Sequence, residues 1–87
     1  MGAKIINPAG WKVSSTAFSN GVTYQASSAG LAAVNGSGTV ELGVSASPGG
    51  PWYRMTASTF IAMAVMAGQY WYALGAQANA IRFTGLK

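Results

Sequence analysis

Between Thr39 and Ala46 the chain alternates strictly. Val40, Leu42, Val44 and Ala46 are apolar, while Thr39, Glu41, Gly43 and Ser45 are polar or lack a side chain. Successive side chains of a strand point to opposite faces, so period two predicts a half-buried β-strand with Val40, Leu42 and Val44 facing the core. The run ends at Ser47-Pro48-Gly49-Gly50-Pro51, a segment that favours a reverse turn. Trp52, Tyr53, Arg54 and Met55 then read as the next short strand.

The rest of the chain follows the same grammar. Residues 1–11 read as an extended N-terminal arm, because Pro8 and Gly10 interrupt regular structure. From residue 12 to residue 87 the pattern is that of a single β domain. Val22, Tyr24 and Ala26 alternate with Thr23 and Gln25, and 31–34 is a short apolar run. Asn35-Gly36 predicts a tight turn, since both residues tolerate positive φ. Residues 59–66 are apolar on both strand faces, with Ile61, Met63 and Val65 on one and Phe60, Ala62, Ala64 and Met66 on the other. Gly68-Gln69 marks another turn, and 70–74 sets Tyr70, Tyr72 and Leu74 on one side. The last strand, 79–84, points Ile81 and Phe83 inward and Arg82 and Thr84 outward. About seven or eight short strands at turn spacings near ten residues predict an all-β fold, a small antiparallel sandwich or barrel.

Composition bears on function. The chain has no His and no Cys, and Glu41 is its one acidic residue. General acid–base chemistry draws on His, Asp or Glu, and activated nucleophiles need such a base beside them. Zinc, calcium and magnesium sites need several Cys, His or oxygen ligands. One carboxylate without imidazole assembles none of these, so the composition predicts a binding or building protein with no catalytic residues, cofactor or metal. The net charge of +4 comes from Lys4, Lys12, Arg54, Arg82 and Lys87 against Glu41. These cations are scattered singly, which argues against direct nucleic-acid binding through a basic patch.

Charged residues make up 7 % of the chain and hydrophobic residues 51 %, whereas an ordinary globular domain is about 25 % charged. A domain of 87 residues buries only about 60–65 % of its unfolded surface and generally needs a staple. Disulfides are impossible without Cys. Self-association is therefore the expected source of extra stability, and aromatic side chains are the expected anchors. Tyr70, Trp71, Tyr72, Trp52 and Trp11 are the interface candidates, with core packing as the competing role for each.

A membrane reading competes. No charge falls between Ala57 and Ala80, and about 20 apolar residues span a bilayer. Gln69, Gln77, Asn79, two glycines and an alanine-dominated hydrophobicity argue against insertion. The segment after Met1 lacks the long apolar core of a signal peptide.

The stretch from Gly38 to Trp52, with its strand, Ser47-Pro48-Gly49-Gly50-Pro51 turn and Trp, resembles a hairpin of small β-sandwich proteins in tailed-phage virions. The closing Ala78-Asn79-Ala80-Ile81-Arg82-Phe83-Thr84-Gly85 is similar to the last strand of that pattern. Pro48 stands where the pattern has an acidic residue, and a like hairpin occurs in discoidin-like sandwiches that bind carbohydrate or lipid. The resemblance implies a virion structural protein of a bacteriophage, a capsid decoration or cement protein or a tail accessory. It would be assembled in the host cytoplasm, self-associating as a homo-oligomer and docking on a larger capsid or tail subunit. The alternatives are a carbohydrate- or surface-binding β-sandwich module and a small membrane protein spanning at about 57–80.

Overall fold

A computed structural model describes residues 11–13, 18–77 and 80–86. All regular structure among them is β: β1 (Trp11–Val13), β2 (Tyr24–Gln25), β3 (Gly30–Ser45), β4 (Tyr53–Val65), β5 (Tyr70–Leu74) and β6 (Ile81–Leu86). These form one antiparallel sheet in the order β1-β6-β3-β5-β2, with β4 on the other edge of β3. β3 is the axis of the molecule. Along one edge it pairs β4 from Gly30↔Val65 to Val44↔Tyr53. Along the other it pairs first β6, through residues 30–34, and then β5, through residues 41–45.

Three breaks lie at one level. The register of β3 on β4 shifts between Asn35 and Thr39. Thr59 in β4 has a φ of 65°, and Gly75 after β5 has a φ of 86°. A non-glycine residue at positive φ is strained, and together with the shift it turns the strand direction sharply. The sheet folds over at this elbow. β5 and β6 follow one another along the same edge of β3, yet the Trp71 and Phe83 rings stack at 5.7 Å and 16°. An unbent strand would set those residues tens of ångströms apart, at roughly 3.3 Å per residue. At the elbow the backbones touch. A Cβ on Gly36 would lie 2.3 Å from the Gly75 carbonyl oxygen, and one on Gly75 would lie 2.6 Å from that of Thr39. Asn20 ties the corner from outside: its Oδ1 accepts from the Ala76 N–H at 2.9 Å and its Nδ2 donates to the Ala76 carbonyl at 3.3 Å.

The core fills the inside of the fold. Val40, Leu42, Val44, Trp71 and Ala73 come from one half, and Ala32, Val34, Ile61, Val65 and Ile81 from the other. Trp71 is 1 % exposed. Its ring meets Phe18 at 5.1 Å, Tyr24 at 5.2 Å and Phe83 at 5.7 Å.

The alternation at 40–44 and the inward Ile81 agree with the sequence reading. The strand count does not. The sequence separates 31–34 from 39–46 at Asn35-Gly36 and 52–55 from 59–66, whereas each pair is one long strand, β3 and β4. Both segments of β3 pair the same edge of β4, so Asn35-Gly36 bends the chain without reversing it. Ser45, read as outward, is buried, and its hydroxyl accepts the Ser47 N–H at 3.1 Å to start the 47–50 turn. Trp11 opens β1 and pairs with Leu86, while the rest of the expected arm lies outside the described residues. Among the described residues no helix is long and apolar enough to cross a membrane. The described part of 57–80 forms β4, a turn, β5 and the corner after it.

Candidate functional site

Two surfaces stand out. The first is the outer edge of β4. Among the described residues this 13-residue strand pairs with β3 alone, so its far edge carries free backbone donors and acceptors. The segment Phe60-Ile61-Ala62-Met63-Ala64-Val65 has no charge, Gly or Pro to discourage pairing with another strand. Ile61 and Val65 turn into the core, whereas Phe60 is 56 % exposed and Ala62 and Ala64 are exposed. In the first half of β4, Tyr53 and Met55 lie opposite the core residues Val44 and Leu42. They nevertheless stand open, Tyr53 at 71 %. They line a mouth of about 620 Å³ between the half-sheets, together with Val44, Met63 and Gln69.

The second surface is the outer face of the other half-sheet. Arg54, Gly43 and Tyr72 lie side by side across β4, β3 and β5, and Thr56, Glu41 and Leu74 form the next row. Gly43 leaves room for a ring: a Cβ there would lie 2.2 Å from Tyr72 Cε2 and 2.6 Å from Cζ. Tyr72 therefore lies down across β3, and its hydroxyl donates to Glu41 Oε2. Trp52 follows the turn and meets Tyr72 edge to face at 5.0 Å and 81°. Gly50, at a φ of 90°, admits the indole, since a Cβ there would lie 2.9 Å from Trp52 Cδ1. Burial, the hydrogen bond to Glu41 and the carboxylate charge raise the Tyr72 pKa above its ordinary value, and Arg54 pulls the other way. The phenol is thus protonated at neutral pH and remains a donor. Glu41 is engaged by this donor, and the chain has no second acid to act as its catalytic partner.

Of the five interface candidates, Trp52 and Tyr72 meet on this face. Trp71 points the opposite way into the core, so its ring is not offered to a neighbour. Tyr70 is half-buried on β5, between Gln25 of β2 and Ser45 of β3. The Trp11 side chain lies outside the described residues. Sequence reasoning missed Met55, Arg54 and the pairing of Glu41 with Tyr72. A glycine inside the strand at 39–46 was the available signal for the last, because strand glycines mark close approach of another group. Comparison of the chain with protein-family models, curated proteins and solved structures finds no match.

Proposed function

We propose that this chain is a non-enzymatic structural subunit that pairs with a second copy of itself along β4 and docks on a larger capsid or tail protein of a phage virion. The observation that carries self-association is the uncharged Phe60–Val65 edge, unpaired on its far side among the described residues. Native proteins blunt long apolar edges with charge, proline or a cover. The one charge on β4 is Arg54. A second copy suits this edge because an antiparallel pairing centred on 60–65 keeps the two Arg54 side chains apart. Such a two-fold contact is self-complementary and closes without open-ended growth. The Trp71–Phe83 contact across the fold supports reading the bent sheet as a small open β-sandwich. The virion assignment rests on the resemblance of the Gly38–Trp52 hairpin, and the absence of His, Cys and a second acid supports the non-enzymatic reading. Quantitative mass spectrometry of purified particles is expected to recover the chain at a fixed ratio to a major capsid or tail protein. Its absence from washed particles would overturn the virion assignment.

A further inference from the structure

The corner formed by Trp52 and Tyr72 has a chemistry that β4 pairing does not use. Tyr72 lies flat as a floor over Gly43, and Trp52 stands at 81° to it as a wall. They open onto a shallow hollow of about 400 Å³, whose polar members include Glu41, Arg54 and Thr23. That volume falls within the range of small-ligand sites, roughly 300–1,000 Å³.

We propose that this hollow is a subsite for one unit of a neutral, hexose-based glycan, a function beyond self-association and independent of it. Charge decides against an ionic ligand. Glu41 and Arg54 offset one another here, although the chain as a whole carries +4. A phosphate or sulfate would meet the chain's one carboxylate, and a cation would meet Arg54. What remains is a ligand that is apolar on one face and rich in hydroxyls at its edge. A hexopyranose ring has that form: its C–H face stacks on an aromatic ring while its hydroxyls both donate and accept. Trp52 offers the stacking wall. Tyr72 spends its hydroxyl on Glu41, which fixes the floor and leaves Glu41 Oε1 as the acceptor. Arg54 supplies N–H donors and has no acceptor. A ring held by its neighbours and a carboxylate held by a hydrogen bond are ordered before the ligand arrives, which lowers the entropic cost of binding. One shallow site gives weak binding, in the millimolar range, and a dimer presenting two copies would strengthen it by multivalency.

The test is a titration of the full-length chain with neutral glucan and mannan hexasaccharides, followed by two-dimensional nuclear magnetic resonance. The expected result is saturable shifts at the Trp52 indole N–H and the Gly43 and Tyr72 amides with at least one of the sugars. Trp52→Ala should weaken binding roughly tenfold or more, as loss of an aromatic anchor does. Glu41→Gln should weaken it severalfold, and both variants should retain the amide spectrum of a folded sheet. The proposal is overturned if neither sugar moves these resonances at about 10 mM, well above the affinity expected of one shallow site. Shifts that survive Trp52→Ala, or that appear only with sulfated oligosaccharides, would also overturn it.

Discussion

Trp71→Ser is expected to unfold the chain. Trp71 is 1 % exposed and its ring touches Phe18, Tyr24 and Phe83, which belong to both halves of the bent sheet and the segment before β2. Removing a buried tryptophan costs about 3–5 kcal/mol through lost burial and the cavity left behind. Small domains are stable by roughly 5–10 kcal/mol and often by less, so little remains. Near-ultraviolet circular dichroism and urea titration measure the outcome. Loss of the aromatic signal at low urea is the expected result. A variant that stays fully folded but no longer assembles would place Trp71 at an interface and contradict the packing described above.

Leu42→Asp is expected to be as damaging by a different route. Leu42 is fully buried between Met55 of β4 and Ala73 of β5. An aspartate there would lose its hydration without a partner, at a cost of several kcal/mol, or would bind a proton and still leave polar groups unsatisfied. Thr39→Asp, on the same strand but exposed, should change stability by about 0.5 kcal/mol or less. Thermal melts of the two variants make the comparison. Similar losses in both would show that the inward face of β3 is misassigned.

Much of this fold was legible because one face of β3 is buried. Val40, Leu42 and Val44 had to share a side, and strand period alone says so. The outcome at Asn35-Gly36 was not legible. The pair suits a reversal and a bend equally well, and only the non-local pairing of both flanks with β4 decides between them. Likewise, 59–66 is apolar on both faces, and which face turned inward depended on the half-sheet opposite. Trp71 and Tyr72 are neighbours in sequence and differ in role for the plainest reason: adjacent strand residues point apart. The Trp52–Tyr72–Glu41 cluster joins two strands, β3 and β5, with the turn between β3 and β4, so no local pattern could assemble it. Its trace in the sequence is Gly43, whose missing side chain makes room for a ring from another strand.

Sedimentation velocity of the wild-type chain and of Ala62→Lys, across a range of concentrations, reads out pairing along β4. Ala62 is exposed on β4, so the lysine should leave the fold intact while setting a charge on the outer edge of β4. Pairing along β4 requires that the wild-type chain sediment as a dimer or larger species as concentration rises, and that Ala62→Lys remain a folded monomer. A wild-type chain that stays monomeric at millimolar concentration, or an Ala62→Lys chain that assembles as wild type does, would contradict it.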